Sequence, residues 1–211
     1  MYFLSKDLFF PAVETADENG LLAIGGDLSP ERLMLAYRHG IFPWFDQDDP
    51  ILWWSPDPRM VLFLDEFTVS KSMRNILNRG IFEVTFNRDF RGVITHCKKS
   101  KRKGQTGTWI TDEIVEAYCK LHELGKAQSV EVWQEGRLVG GLYGTDLGHV
   151  FCGESMFSVV SNASKVAFIA LVEHLRANQY KLLDCQLYND HLALLGCREI
   201  PRAAFIRTLK S

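Results

Sequence analysis

Apolar residues recur along the chain at two spacings, one typical of helices and one typical of strands. From Phe168 they follow at i, i+3, i+4 and i+7, which predicts a helix that begins near Asn162. The short apolar runs at residues 149–152 and 181–185 are flanked by turn-like residues and predict strands. Because a strand–helix–strand unit places its strands parallel and side by side, we expect these two runs to be neighbours in one sheet.

The same spacings predict further elements on both sides of this unit. Helices are predicted for residues 30–39, 89–97, 112–121, 191–195 and 201–209, and strands for residues 82–86, 128–133 and 137–143. Prolines exclude a long helix between residues 43 and 58, and a linker is expected between Pro58 and Ser70. The pattern predicts an α+β or α/β fold in two domains, residues 1–62 and residues 63–211, the second with a mixed sheet.

Composition narrows the class of protein. The 211 residues, 46% hydrophobic and 24% charged, are typical of a soluble globular protein. No apolar run is long enough to span a bilayer, and the N-terminus lacks the basic-then-apolar order of a signal peptide. The five cysteines form no C-x-x-C pair and the six histidines form no H-x-x-x-H pair. We therefore expect a reducing, cytoplasmic location and no bound metal.

Positive charge is concentrated in one segment, although the net charge is −2. Residues 71–103, which we name the basic belt, contain ten lysines and arginines against two acidic residues. The belt ends in a polar run that contains Lys98, Lys99, Lys101, Arg102 and Lys103. Such a run is either a solvated loop or a surface that contacts nucleic-acid phosphates.

Tryptophan and proline are concentrated between residues 40 and 59. Three of the five tryptophans, among them Trp44, and four of the seven prolines lie in this segment. Prolines stiffen the backbone, and tryptophans on a stiff loop form either the core of a small domain or a platform on which a base stacks. The pattern leaves both interpretations open.

Candidate chemistry lies around the two predicted strands of the strand–helix–strand unit. Glu154 follows the first strand, and Asp184 and Gln186 lie at the end of the second, with their side chains on one face of an extended chain. Ligands bind at such strand ends in open α/β sheets. Two carboxylates and an amide can hold an amine-bearing substrate or orient an amine for attack on a carbonyl. The alternative is an ordinary buried polar cluster.

Seven short motifs follow one another from about Leu21 to Arg202. They are AIGGDL at residues 23–28, GIFPW at 40–44, WWSPDPR at 53–59, GTWIT at 107–111, GESMFS at 153–158, NASK at 162–165 and DCQ at 184–186. Together they resemble the bacterial leucyl/phenylalanyl-tRNA–protein transferases. Each motif alone is weak, but seven in this order are highly specific.

The resemblance implies a fold and an activity. That family is similar in its C-terminal part to the GCN5-related N-acetyltransferase fold, which a smaller N-terminal domain precedes. Its members transfer Leu or Phe, and Met less readily, from aminoacyl-tRNA to the α-amine of proteins that begin with Arg or Lys. The transfer marks those proteins for degradation by the N-end rule route. The implied partners are aminoacyl-tRNA and these acceptor proteins, without a cofactor or a metal.

Roles for the polar residues also follow from the resemblance. It makes Glu154, Asp184 and Gln186 the catalytic or amine-orienting groups and places Asn189 beside them. The basic belt would then contact the tRNA phosphates.

For the aromatic and apolar residues, the resemblance implies binding roles. Trp44 and Trp109 would hold the terminal adenosine of the tRNA. The residues that match the pocket for the amino-acid side chain are Phe151, Met156, Phe168, Leu171, Leu175 and Leu183.

Two other functions stay open at this point. An acyl-CoA-dependent N-acetyltransferase would bind a pyrophosphate through a glycine-rich turn before its main helix, whereas residues 158–161 contain no glycine. A non-catalytic RNA-binding protein would use the basic belt and the tryptophans but would leave Glu154 and Asp184 without a role.

Overall fold

The computed structural model describes residues 2–100 and 108–211. Its strands are β1 (Tyr2–Leu4), β2 (Leu21–Gly25), β3 (Phe42–Pro43), β4 (Leu52–Trp54), β5 (Arg59–Phe63), β6 (Glu83–Phe86), β7 (Ala127–Gln134), β8 (Arg137–Asp146), β9 (Val150–Ser158), β10 (Leu182–Gln186) and β11 (Arg198–Ile200). Its α-helices are α1 (Pro30–Arg38), α2 (Lys71–Asn78), α3 (Phe90–Lys99), α4 (Asp112–Glu123), α5 (Ala163–Ala177), α6 (Asp190–Ala193) and α7 (Arg202–Lys210).

The first part of the chain forms a four-stranded sheet in the order β1-β2-β4-β3. β1 is parallel to β2, and the other neighbours are antiparallel. α1 begins after Ser29 because the Ser29 hydroxyl accepts a hydrogen bond from the backbone N–H of Arg32. A proline at the first helical position, Pro30, suits the same start, since its missing N–H would have no helical partner.

A seven-stranded sheet in the order β11-β5-β10-β9-β8-β7-β6 organises the rest of the molecule. β9 and β10 are parallel, and the other neighbouring pairs are antiparallel. The prediction of a mixed sheet after a smaller N-terminal part is therefore confirmed. The division into domains at residues 62 and 63 stays a prediction, and this boundary falls inside β5.

The linker predicted between Pro58 and Ser70 is wrong. The segment begins with β5, which is almost wholly buried and lies between β10 and β11 in the large sheet. Residues 60–63 are a continuous apolar run, and a strand buried on both faces shows no polar alternation. Because prolines lie just before it, the segment resembles a linker, and the sequence pattern did not predict this strand.

The strand–helix–strand unit is confirmed. β9 and β10 are parallel neighbours in the register Leu183 to Phe151 and Asp184 to Cys152, and α5 connects them. The side chain of Asn162 does not cap the start of α5. Asn162 has a positive φ of 72° and makes no capping hydrogen bond with its side chain. The left-handed region is one that asparagine tolerates better than most residues.

The large sheet lies between two buried apolar clusters. One cluster contains residues of α1, α3, α4 and α7, among them Tyr37 and Tyr118. The other contains the apolar face of α5, including Phe168 and Leu171. None of the described helices is both long and apolar enough to cross a membrane.

Candidate active site

A cleft of about 660 Å³ opens where β9 and β10 separate. The two strands pair only as far as Cys152 and Asp184, while β9 continues to Ser158. Predicted site residues that line the cleft are Trp44, Trp109, Glu154, Met156, Phe168, Leu171, Leu183, Gln186 and Asn189. The separation of two parallel strands thus creates the space, and the unpaired ends supply its polar side chains.

Glu154 is the centre of a hydrogen-bond network at the cleft. Its Oε1 accepts hydrogen bonds from the Tyr37 hydroxyl at 2.6 Å and from Gln186 Nε2 at 3.1 Å. Its Oε2 accepts a longer one from the Tyr118 hydroxyl at 3.4 Å. The hydroxyls of Tyr37 and Tyr118 are also within hydrogen-bond distance of each other, and since each has one proton, the two hydroxyls donate two of these three hydrogen bonds at a time. The predicted meeting of Glu154 and Gln186 is therefore confirmed, and donors reach both oxygens of this carboxylate.

Burial raises the pKa of Glu154 to about 8, from an ordinary value of 4.5. The hydrogen bond from Tyr37 opposes this increase, whereas the negative charge of Asp184 adds to it. A carboxyl group with such a pKa exchanges its proton near neutral pH. This is the property that a general base or acid needs at physiological pH.

The free energy of unfolding of Glu154→Gln is expected to rise, relative to that of the native chain, as the pH rises from about 4.5 to about 8. A carboxyl whose pKa is raised on folding stabilises the folded state below its unfolded pKa, and this contribution is lost as the pH rises through the folded pKa. Glutamine does not ionise, so the variant avoids a loss of about 1.4 kcal/mol per pH unit across that window. Urea unfolding at several pH values measures the difference.

The exposed Glu173 of α5 provides the matched control for this measurement. Glu173→Gln should change the free energy of unfolding only slightly, as expected for an exposed position. A difference between Glu154→Gln and the native chain that does not change with pH would show that Glu154 has an ordinary pKa.

Asp184 does not line the cleft. It is fully buried and forms a two-point ion pair with Arg59, with distances of 2.8 Å from Nε to Oδ1 and 2.7 Å from Nη2 to Oδ2. Arg59 also donates to the Gly40 carbonyl, and its guanidinium lies between the rings of Phe42 and Phe205. The predicted contact between Asp184 and a substrate amine therefore has no open path in this structure.

Gln186 has a left-handed backbone at the end of β10. Its φ is 65°, and the pairing of β10 with β5 shifts register between Asp184 and Gln186. The backbone N–H of Gln186 donates to Asp184 Oδ1 at 3.0 Å, which holds this conformation. Non-glycine residues in this region are strained, and such strain concentrates at functional sites. Asp184 thus connects the buried Arg59 to the side chain that meets Glu154.

Trp44 and Trp109 both line the cleft, but they differ in burial. Trp44 is 37% exposed, and its ring makes an edge contact with Trp54. Trp109 is 8% exposed and belongs to the buried cluster that also contains Tyr118. Of these two residues, Trp44 therefore has the more accessible ring for a base to stack on.

Trp44→Ala is expected to weaken aminoacyl-tRNA binding by about 1–3 kcal/mol, because one base stacked on an aromatic ring contributes that much. Peptide binding and the urea midpoint should change little. Trp109→Ala should weaken aminoacyl-tRNA binding and also lower the free energy of unfolding, since a buried tryptophan is removed. Filter binding and urea unfolding separate these effects, with Trp133→Ala, outside the cleft lining, as control. Normal tRNA binding by Trp44→Ala would exclude a stacking role.

The apolar part of the cleft is smaller than predicted. Met156, Phe168, Leu171 and Leu183 line it. Phe151 and Leu175 do not, and both are almost fully buried in the core behind it. We name the apolar part of the cleft the apolar slot. Phe151 and Leu175 can shape this slot only through the side chains that they support.

Two of the predicted tRNA-backbone residues lie at the end of α3. Lys98 forms an ion pair with Asp112 at 2.6 Å, and Lys99 is exposed. Lys101, Arg102 and Lys103 lie outside the described residues, so their predicted contact stays a prediction.

Neutralising Lys98, Lys99, Lys101, Arg102 and Lys103 together is expected to reduce the dependence of tRNA affinity on salt. Removing one phosphate contact lowers the slope of log affinity against log salt by roughly 0.7–0.9. Turnover at saturating tRNA should hardly change, because phosphate contacts position the tRNA without touching the reacting carbonyl. An unchanged slope would place the phosphate contacts elsewhere.

Three residues that hold Glu154 and Asp184 through hydrogen bonds were not predicted from the sequence: Tyr37, Tyr118 and Arg59. Both tyrosines lie on apolar helix faces, where the periodicity indicates core residues. A chemical argument could have identified them, because the hydroxyl of a buried tyrosine needs a hydrogen-bond partner. For Arg59, the signal was an arginine at the start of an apolar strand, which must pair if it is buried.

Among residues 2–100 and 108–211, no group of three or more His, Cys, Asp or Glu side chains is placed so that it could hold a metal ion.

Comparison with known proteins identifies the family. A family model described as leucyl/phenylalanyl-tRNA protein transferase matches residues 61–210, and the model of its N-terminal domain matches residues 26–57. Curated proteins named leucyl/phenylalanyl-tRNA–protein transferase are similar over the whole chain. That of Flavobacterium johnsoniae is 68% identical over 211 residues, 100% of both chains. That of Pseudoalteromonas atlantica is 56% identical over 212 residues, 100% of this chain and 90% of the relative.

These matches, together with the cleft, define an enzyme of the aminoacyltransferase class. The chain belongs to the leucyl/phenylalanyl-tRNA protein transferase family.

Solved structures resemble the fold at a greater distance. A GCN5-related N-acetyltransferase from Kribbella flavida is 9% identical, covers 80% of this chain and 59% of its own, and has a TM-score of 0.40. A conserved protein of unknown function from Bacteroides thetaiotaomicron is 14% identical, covers 72% of this chain and 55% of its own, and has a TM-score of 0.47. Likenesses this distant say nothing about substrate or chemistry.

Proposed function

We propose that this chain transfers Leu or Phe, and Met less readily, from aminoacyl-tRNA to the α-amine of proteins that begin with Arg or Lys. The product is a new peptide bond, and the modified protein is marked for degradation by the N-end rule route. The observation that carries the proposal is the hydrogen bond between Gln186 and Glu154 at the mouth of an apolar slot, beside an exposed tryptophan.

The reaction needs alignment more than activation. An aminoacyl ester already contains the energy for amide formation, so the enzyme must hold a neutral amine near the ester carbonyl and stabilise the charge that develops. A free α-amine has a pKa of about 7.7–8.0, close to the pKa of about 8 for Glu154. Glu154 is thus suited to take a proton from the incoming ammonium group.

Gln186 orients the amine in this proposal. Its Nε2 donates to Glu154, which leaves its side-chain oxygen free to accept a hydrogen bond from the amine. Arg59 and Asp184 hold its backbone and do not touch the substrate. Asp184 is therefore proposed as a positioning residue rather than a catalytic one.

The apolar slot explains why the enzyme would accept several different apolar aminoacyl side chains. Met156, Phe168, Leu171 and Leu183 present only apolar atoms or a flexible thioether to the aminoacyl side chain. One methylene group contributes only about 1–3 kcal/mol to discrimination, so Leu, Phe and Met are separated poorly, whereas charged side chains are excluded.

The acceptor's cationic side chain needs a negative partner near the α-amine. Asp184 is already neutralised by Arg59, so in the cleft lining this charge comes from the ionised form of Glu154, before it takes up the proton of the α-ammonium group. A guanidinium or ammonium group that enters the cleft would favour the ionised form of Glu154.

We also propose a cytoplasmic location. All five cysteines are free thiols, which persist in a reducing compartment, and aminoacyl-tRNA would have to be present there.

The direct test is transfer of radiolabelled Leu from Leu-tRNA to a peptide that begins with Arg. Transfer is expected to peptides that begin with Arg or Lys and not to a matched peptide that begins with Glu. Ala-tRNA should be a poor donor because its side chain leaves the slot empty. Acetylation from acetyl-CoA in place of Leu transfer would support the acetyltransferase alternative. tRNA binding without transfer to any peptide would support a non-catalytic RNA-binding protein.

A further inference from the structure

Two cysteines from different segments of the chain meet beside the cleft. The sulfur atoms of Cys185 and Cys197 are 3.6 Å apart, although the two residues are twelve positions apart in the chain. Cys185 belongs to β10, and Cys197 directly precedes β11, so β5 lies between the two strands. Cys185 lines the cleft, whereas Cys197 is buried behind it.

Cys185 also lies next to a residue of the site whose backbone is strained. It stands between Asp184, which is held by Arg59, and Gln186, whose backbone is left-handed. A displacement of Cys185 is therefore passed on directly to the amide that bonds Glu154.

We propose that Cys185 and Cys197 form a thiol-modification site at which hydrogen peroxide produces a disulfide bond that stops aminoacyl transfer. The effect on transfer rests on the function proposed above, whereas formation of the bond does not.

The chemistry balances with peroxide as the only oxidant. The Cys197 thiolate attacks one oxygen of a peroxide that enters from the cleft beside Cys185. The O–O bond breaks, and a sulfenic acid and hydroxide result, the hydroxide taking up the thiol proton as water. The Cys185 sulfur then attacks the sulfenic sulfur, an S–S bond forms, and a second water leaves. The hydrogen bond from Cys185 lowers the pKa of the Cys197 thiol, which favours the first step.

The geometry explains why the bond would inhibit. Sulfurs in a disulfide are about 2.0 Å apart, so these two must approach each other by more than 1 Å. The approach draws the end of β10 towards the loop before β11. Catalytic groups must be held within about 0.5 Å of their productive positions, so the hydrogen bond between Gln186 and Glu154 would not survive in its present geometry.

The full chain is treated with hydrogen peroxide, excess peroxide is removed, and Leu transfer is measured before and after dithiothreitol. We expect transfer to fall by at least ~10-fold and to recover on reduction, because a misplacement of about 1 Å is enough for such a loss. Digestion after alkylation of the remaining thiols should yield a linked peptide pair that contains Cys185 and Cys197.

Cys197→Ala is the decisive variant, since Cys197 does not line the cleft. It should transfer Leu like the native chain and lose its sensitivity to peroxide. Cys119→Ala, a matched variant of another buried cysteine, should stay as sensitive as the native chain.

Three results would overturn the inference: no linked peptide pair, a linked protein with undiminished transfer, or a Cys197→Ala variant that is as sensitive as the native chain. If Cys197→Ala does not fold, peptide mapping of the native chain still decides whether the bond forms and accompanies the loss of transfer. A reduced native chain that transfers no Leu would contradict the proposed function instead, and the mapping would still decide whether the disulfide forms.

Discussion

Replacing Arg59 with methionine is expected to lower the free energy of unfolding by about 3–5 kcal/mol, the usual loss when one partner of a buried ion pair is removed. Arg59 and Asp184 are 1% and 0% exposed. Methionine fills much of the same space between Phe42 and Phe205 but offers no donor. The carboxylate of Asp184 would remain in the core with its charge unpaired. Urea unfolding at pH 7 measures the difference.

Two further variants test the cause of that loss. Arg198→Met removes a pair of the same type, Arg198 with Glu66, whose side chains are 52% and 55% exposed. Exposed pairs contribute about 0–1 kcal/mol, so this variant should hardly differ from the native chain. The double variant Arg59→Met/Asp184→Leu should be more stable than Arg59→Met alone, because it also removes the unpaired, buried carboxylate of Asp184. Equal losses for Arg59→Met and Arg198→Met would contradict the buried pair.

Replacing Gln186 with glycine is expected to lower the turnover rate by at least ~100-fold, the range for the loss of a group that orients reactants or stabilises developing charge. The fold should not suffer. Glycine adopts the left-handed backbone of residue 186 without strain, and the hydrogen bond from its N–H to Asp184 can persist. Steady-state transfer of Leu to an Arg-initiated peptide gives the rate, and urea unfolding gives the stability.

Gln179 provides a matched control for this variant. It is also a glutamine in the left-handed region, with a φ of 60°, and it is exposed at the end of α5. Gln179→Gly should keep native turnover. If Gln186→Gly retains native turnover as well, the amine is oriented by another group, and the hydrogen bond between Gln186 and Glu154 is structural.

Local patterns were sufficient for the elements whose stabilising contacts are close in sequence. Thr111 caps α4 by accepting a hydrogen bond from the N–H of Ile114, three residues away. β7 and β8 form a hairpin around a two-residue turn. The rule that a strand–helix–strand unit has parallel neighbouring strands then predicts correctly that Glu154 and Gln186 lie close together.

Contacts between distant parts of the chain were beyond the same reasoning. β5 carries Arg59 to a partner 125 residues away, and no spacing in the sequence records an antiparallel pairing over that distance. Tyr37 and Tyr118 were correctly predicted to be on apolar helix faces, but their hydroxyls meet only because α1 and α4 pack on the same side of the sheet.

The sequence by itself determined the mixed sheet, the central strand–helix–strand unit, the family and the proximity of Glu154 and Gln186, because period and motif are local properties. Tertiary structure alone decided that Asp184 is neutralised by Arg59 and turned away from the cleft. It also decided that Glu154 has a pKa of about 8, since that value depends on how much water the fold removes from the carboxyl group. Burial and pairing are properties of the surroundings of a residue, and folding brings those surroundings together from distant parts of the chain.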